Sequence, residues 1–217
     1  MSTTNKKAKV YLVDDHALVR EGLRTLISEE PDLTVVGEAA DANDALENIP
    51  KAAPDVILLD LTLGKKSGLE LLKDLSLQMP DTPVIVVSMH DEMIYAERTI
   101  RGGARGYVMK SESSTQVIDA IRRVLAGKIY VSDHVMAAIA SRLGKKKPDS
   151  PVEALSDREL QVFEAVGQGL STSEIAERMN LSVKTVQVYF ARAKEKFGVS
   201  SARELMREAF RWHDSGG

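Results

Sequence analysis

Val56-Ile57-Leu58-Leu59-Asp60 sets four apolar residues in a row and ends them with a carboxylate. A short, unbroken apolar run suits a strand buried on both faces of a parallel sheet. The same grammar recurs on either side. Val10–Val13 stops at Asp14-Asp15, Val84–Val87 at Ser88, and Gly106–Met109 at Lys110, while Thr34–Val36 gives a fifth β-type run. Helical stretches lie between them: Val19, Leu23, Leu26 and Ile27 share one face, as do Ile118, Ile121 and Leu125, with Arg122 and Arg123 turned outward. Five βα units predict an α/β fold, a doubly wound five-stranded parallel sheet.

The second half shows no strand pattern. Ser156-x-x-Glu159, Ser171-x-x-Glu174 and Ser201-x-x-Glu204 each open an apolar-periodic stretch and read as capping boxes; a further helix starts at Ser182. This predicts a separate all-α, four-helix domain. Between the halves, Leu143-Gly-Lys-Lys-Lys-Pro-Asp-Ser-Pro-Val152 carries a glycine, two prolines and a lysine run, a flexible, extended tether whose lysines are solvated. The expected boundaries are a first domain over 8–128, a connecting helix and linker over 129–152, and a second domain over 153–217.

Composition narrows the function. The 217 residues are 43% hydrophobic and 28% charged, with no cysteine, which excludes disulfides and thiolate metal sites. His16, His90, His134 and His213 lack a ligand spacing such as HExxH. No apolar stretch approaches a membrane span or a signal-peptide core, so no membrane association and a cytoplasmic location are expected. The net charge of −3 means that any contact with nucleic acid must be local.

In open parallel sheets ligands sit beyond the carboxyl ends of the strands. Those ends carry Asp14, Asp15, Asp60, Ser88 and Lys110. Clustered carboxylates repel one another, and a hard divalent cation such as Mg²⁺ relieves this. An aspartate beside that ion is a nucleophile toward phosphorus, giving an acyl phosphate. A hydroxyl and an ammonium then suit the phosphoryl oxygens.

These strand ends, YLVDDH (11–16), ILLDLTLGKKSG (57–68), VVSMHD (86–91) and GYVMKS (106–111), resemble the flavodoxin-like receiver domain of two-component response regulators over roughly residues 8–128. The resemblance implies Asp60 as phosphoacceptor. It implies Asp15 as direct Mg²⁺ ligand, Asp14 assisting through water, and the Thr62 backbone carbonyl as a further ligand. Ser88 and Lys110 would contact the phosphoryl group, and Tyr107 would swing inward with the serine. Departures exist. Gly64, followed by Lys65 and Lys66, replaces a common proline, so the Asp60 loop is expected to be more mobile; Gly68 keeps the family glycine, and Ser111 replaces a proline after Lys110. Thr62 and His90, two past Asp60 and Ser88, are neither carboxamides nor carboxylates. Slow self-dephosphorylation is therefore expected, a lifetime that decay of radiolabel measures. Haloacid dehalogenase phosphatases also use a strand-end aspartate, but with a second aspartate two residues on, where this chain has Thr62. The protein is thus expected to accept a phosphoryl group from a kinase or small donor rather than to be an enzyme. Regulation through constitutive contacts, without phosphate, is the other alternative.

In 183–197, Val183, Val186, Phe190, Ala193 and Phe197 form the expected core face, and Lys184, Gln187, Val188, Ala191 and Arg192 an outward stripe. Ile175, Ala176 and Met179 mark a short helix before it, and Met179–Ser182 the turn, a helix-turn-helix pattern. Residues 155–199, above all SEIAERMNLSVKTV (173–186), resemble the LuxR-type DNA-binding domain of the NarL/FixJ subfamily over about 153–212. This implies DNA contacts from Lys184, Thr185, Gln187, Val188, Arg192, Lys194 and Lys196. Gln187, Tyr189 and Ala191 stand where relatives often carry lysine, histidine and lysine; glutamine reads adenine, so site preference is expected to differ. On the last helix Leu205, Met206, Ala209 and Trp212 share a face; Leu205, Met206 and Trp212 are expected dimer contacts, with Trp212 leaning to packing. The implied partners are DNA, a cognate sensor histidine kinase, a second copy through the first and fifth helices, and RNA polymerase.

Overall fold

The computed structural model describes residues 6–64, 66–112, 114–142 and 150–215, the side chains of Lys66 and Arg142 excepted. The chain divides into two compact units, 1–140 and 141–217.

The first unit runs β1 (Ala8–Val13), α1 (Ala17–Ser28), β2 (Leu33–Ala39), α2 (Ala42–Ala52), β3 (Val56–Leu59), β4 (Thr62–Leu63), β5 (Lys66–Ser67), α3 (Gly68–Gln78), β6 (Val84–Ser88), α4 (Glu92–Arg101), β7 (Gly106–Met109), α5 (Ser114–Leu125) and α6 (Asp133–Arg142). The main sheet is parallel, in the order β2-β1-β3-β6-β7. Val10, Leu12, Val56, Leu58, Ile85 and Val87 pack on one side against Ile27, Val117, Ile118 and Ile121. The alternate positions Ile57, Leu59 and Val86 face the other way and are equally buried, as the period of two requires. This double burial is why the runs are apolar throughout. The strand order reverses between β1 and β3, so the crevice of a doubly wound sheet opens where Asp14 and Asp60 end their strands.

Two features add to the expected pattern. The loop after Asp60 carries a small hairpin in which Thr62 pairs with Ser67 and Leu63 with Lys66. Gly64 turns it with φ +55°, and its N–H donates to Asp15 Oδ2 at 3.1 Å. A proline there could neither take that φ nor make that bond. The first unit also extends past residue 128, because the connector is packed on it as far as Ala140.

The second unit comprises α7 (Pro151–Ala154), α8 (Asp157–Gly167), α9 (Thr172–Arg178), α10 (Val183–Phe197) and α11 (Ala202–Asp214). All three capping boxes are formed, and Ser182 caps α10 through the Thr185 amide. Most of the expected linker, 143–149, lies outside the described residues; its end is helical, with Pro151 in the first turn, where its missing N–H costs nothing. Leu160, Phe163, Ile175, Val186, Ala193, Leu205 and Ala209 form the core. Gly167 lets α8 and α11 close: a Cβ there would fall 2.6 Å from the Ala209 carbonyl. Val183, expected in the core, is 40% exposed, because it sits in the first turn of α10, before the helix reaches its neighbours.

Candidate functional site

Asp14 and Asp60 end adjacent, hydrogen-bonded strands and are 2% and 3% exposed. Lys110, just past β7, reaches between them with Nζ 2.7 Å from Asp14 Oδ2 and 2.7 Å from Asp60 Oδ2. Burial is the largest influence on Asp60 and pushes its pKa up; Lys110 pulls against this, Asp14 adds to the rise, and the Thr62 N–H lowers it. For Lys110 burial works against the charge, but the bonds to Asp14 and Asp60 prevail and its pKa is raised. Lys110 thus bridges the Asp14 and Asp60 side chains where their strands end. Gly68 keeps the loop against Asp60: a Cβ at that position would fall 2.3 Å from the Asp60 carbonyl and 2.5 Å from the Leu61 Cα.

Asp15 stands beside the pair, and Asp14, Asp15, His16 and Asp60 each offer a ligand atom within 4.8 Å of one another. His16 Nδ1 lies 2.7 Å from Asp15 Oδ1, but out of line for a hydrogen bond, so that buried oxygen has no hydrogen-bond partner among the described residues. The three carboxylates, hard oxygen donors with one oxygen unpartnered, fit Mg²⁺. Sequence reading left His16 and Arg20 out of this site. Arg20 Nη1 donates to the Asp14 carbonyl at 2.6 Å. Only the adjacency of His16 to Asp14-Asp15 hinted at its place; nothing in the sequence pointed to Arg20.

Ser88 is fully buried at the end of β6, and its Oγ accepts from the His90 amide at 3.2 Å. Tyr107 is turned inward, 2% exposed, with its hydroxyl donating to the His90 carbonyl at 2.8 Å. The His90 ring is 3.3 Å from Thr62 Oγ1 and packs on Tyr95 of α4 at a centroid distance of 4.6 Å. His90 thus joins the Asp60 loop, Ser88, Tyr107 and α4.

In the helical unit α9, the turn at Asn180 (φ +53°) and α10 form the helix-turn-helix. Lys184, Gln187, Val188, Ala191 and Arg192 make one exposed stripe on α10. Three of the expected DNA contacts have partners inside the unit. Lys196 Nζ is 2.6 Å from Glu159, and Lys194 Nζ donates to the Ser200 carbonyl at 3.1 Å. Thr185 shares a 2.7 Å hydroxyl bond with Ser182. Of the expected dimer contacts, Leu205 is corrected: at 1% exposed it packs in the core, one turn before Ala209 on the same stripe. Trp212 packs on Phe163 at 5.7 Å. Met206 is 41% exposed, and Phe210, 45% exposed, is a neighbour on that face which sequence reading missed.

An acid–lysine cluster at the switch point of a doubly wound sheet, joined in one chain to a helix-turn-helix, defines a regulator with a chemical input and a nucleic-acid output. Family models agree: residues 10–122 match the response regulator receiver domain, and residues 153–209 match the bacterial regulatory proteins of the luxR family. The DNA-binding transcriptional activator DevR/DosR of Mycobacterium tuberculosis is 36% identical over 192 residues, covering 88% of each chain. The transcriptional regulatory protein UhpA of Escherichia coli is 38% identical, over 93% of this chain and 97% of its own. RcsB of Salmonella enterica serovar Typhimurium, solved on promoter rprA in the presence of phosphomimetic BeF3-, superposes with a TM-score of 0.69 at 25% identity, covering 93% of this chain and 98% of that one. The chain belongs to the response regulators of the NarL/FixJ type, with a receiver domain and a LuxR-type DNA-binding domain. Among the described residues no helix is long and apolar enough to cross a membrane.

Proposed function

We propose that this response regulator is switched by phosphorylation of Asp60, and that the phosphorylated form dimerises and binds DNA to regulate transcription. The observation that carries this reading is the single lysine held at 2.7 Å from both Asp14 and Asp60. It marks the spot where negative charge is already compensated and where more can be added. An Asp60 carboxylate oxygen attacks phosphorus of a histidine kinase's phosphohistidine or of a small donor. The new O–P bond forms as the bond to the imidazole nitrogen or acetate oxygen breaks. Asp14, Asp15, Asp60 and the Thr62 carbonyl would hold Mg²⁺, which neutralises phosphoryl charge when bound. Lys110 then turns from carboxylate to phosphoryl oxygen, and Ser88 Oγ donates to another. Tyr107 stays beneath the loop. Thr62 and His90, bonded to each other at 3.3 Å, offer water no carboxamide to orient it, which supports a slow loss of the phosphoryl group.

Receiver pairing uses the apolar groove between α1 and α5, lined by Val19, Leu23, Leu26, Met109 and Val117 and about 600 Å³ in volume. On DNA, Met206 and Phe210 extend the pairing. The reading makes the protein cytoplasmic, with a sensor kinase and RNA polymerase as partners. Incubating the full chain with acetyl phosphate and Mg²⁺ tests it: one stable phosphoryl group per chain, a shift to dimer in sedimentation, and tighter DNA binding are expected. Rapid release of inorganic phosphate would instead indicate a phosphatase, and DNA binding indifferent to phosphate a constitutive regulator.

The exposed stripe of α10 divides the DNA work. Lys184 and Arg192 meet phosphates, which position the helix; Gln187 reads a base edge, and Val188 packs on a thymine methyl. Gln187→Ala is expected to reduce discrimination at one base pair by ~1–3 kcal/mol while leaving non-specific binding alone. Arg192→Ala is expected to weaken binding to all sequences and to lower the salt slope by about one. Binding titrations on site and non-site duplexes across salt concentrations measure both; the reverse assignment of effects would refute the division.

A further inference from the structure

The chain leaving α5 does not leave the receiver. Gly127 ends the helix with φ +76°, and Ile129-Tyr130-Val131 is β-forming. Tyr130 makes a parallel bridge to Gly106: its N–H donates to the Arg105 carbonyl at 2.9 Å, and its carbonyl accepts from the Tyr107 N–H at 2.8 Å. The ring lies under Arg123 of α5, 5.6 Å from the guanidinium carbon, and packs on the receiver core. A Cβ on Gly106 would come to 3.3 Å from the Tyr130 carbonyl, so the close pairing uses the glycine. Two residues on, Ser132 Oγ donates to Glu92 Oε1 of α4 at 2.8 Å and accepts from the Val135 amide at 3.1 Å, capping α6. Val135 is 2% exposed.

The connector is therefore tied at two places that behave differently when the site changes. Tyr130 is paired to the backbone of the strand that carries Tyr107. Ser132 is tied to Glu92, which opens α4 directly after the loop of Ser88, His90 and Asp91. We infer that residues 129–140 are a strap that reads the phosphorylation state of the receiver; this rests on Asp60 being the phosphoacceptor. When Ser88 Oγ turns to a phosphoryl oxygen, the His90 amide loses its acceptor, and the loop shifts with Glu92. The Ser132 tie opens while the Tyr130 pairing holds. The segment 132–140 is released, and it is continuous with the chain that leads into the DNA-binding unit.

Hydrogen exchange by mass spectrometry on the full chain, with Mg²⁺ and with or without beryllofluoride, tests this. In the wild type, beryllofluoride should speed exchange across 132–140 about fivefold, the scale of one part-buried hydrogen bond, and leave the Tyr107 and Tyr130 amides unchanged. Glu92→Ala should exchange fast across 132–140 without beryllofluoride. Glu92→Gln, whose amide oxygen still accepts, should match the wild type; it also keeps the Ser132 cap, so a general loosening of α6 is separated from loss of the tie. The proposal is overturned if Glu92→Ala exchanges like the wild type. It is also overturned if residues 60–64 and 88–91 respond to beryllofluoride and 132–140 do not. A pocket that fails to respond sinks the Asp60 reading and the coupling with it, while the comparison of Glu92→Ala with wild type still decides whether the strap is tied.

Discussion

Asp60→Ala protein, incubated with radiolabelled acetyl phosphate and Mg²⁺, will retain no hydroxylamine-labile phosphate, and its DNA binding will no longer respond to the donor. The loss should be complete, because no other described carboxylate is bridged to Lys110 at the mouth of the crevice except Asp14, whose backbone and side chain are already taken by Arg20 and the His16 amide. The same variant should not be less stable. Burial raises the Asp60 pKa, so the folded chain holds a proton on this group to a higher pH than the unfolded chain does. The sign follows. Stability tied to this group is fully present below the unfolded carboxylate value, about 3.9, and is lost as pH rises through the higher folded value. At neutral pH the buried carboxylate is a cost, and Asp60→Ala should raise Tm in metal-free buffer. Label retained by Asp60→Ala at wild-type level would remove Asp60 from its role; a lowered Tm would mean that the Lys110 bond outweighs burial.

Lys196→Met should unfold the helical unit far more readily than it weakens DNA contact. Glu159 is 3% exposed, and Lys196 is its charge partner at 2.6 Å. Removing one side of a buried pair costs about 3–5 kcal/mol. The lysine side chain is 36% exposed, so screening reduces this to about 2 kcal/mol, or roughly 10 °C in a unit of this size. Glu159 is held below the usual carboxylate range: burial pushes it up, but Lys196 and the Ser156 groups pull it down further. Its stabilisation is therefore present above the unfolded value, about 4.3, and lost as pH falls through the folded one. Lys196→Met should weaken that acid-side dependence, leaving the part that the Ser156 bonds supply. Adding Glu159→Gln, which keeps a capping-box residue, should restore most of the Tm. If Lys196→Met leaves Tm unchanged and lowers the salt slope of DNA binding by about one, the lysine is a phosphate contact after all.

The sheet was legible because its central strands β1, β3 and β6 are buried on both faces, so each is an apolar run that a functional residue ends. The helix starts of the second half were legible because a capping box is a local pattern that needs no tertiary partner. What stayed hidden depends on residues far apart in sequence. Lys196 sits beside the core face of α10, and only the approach of α8 turns it toward Glu159. Leu205 and Met206 are neighbours in sequence, and which of them is covered depends on where α11 meets α8. The two-residue strands around Gly64 are too short to leave a period. The pairing of Tyr130 with Gly106 was invisible because one bridge has no pattern, though Ile129-Tyr130-Val131 is β-forming.

That bridge has a consequence of another kind. β7 is the last strand of its sheet, and a parallel apolar strand with a free edge is a template for sticking to another chain. Tyr130 pairs with the first residues of that edge, and Arg123 stands over its ring. The protein thus covers the beginning of that edge with the first residues of its own connector. Shortening or replacing the connector in an engineered sensor would expose that edge, so solubility, as well as signalling, sets where such a chimaera should be joined.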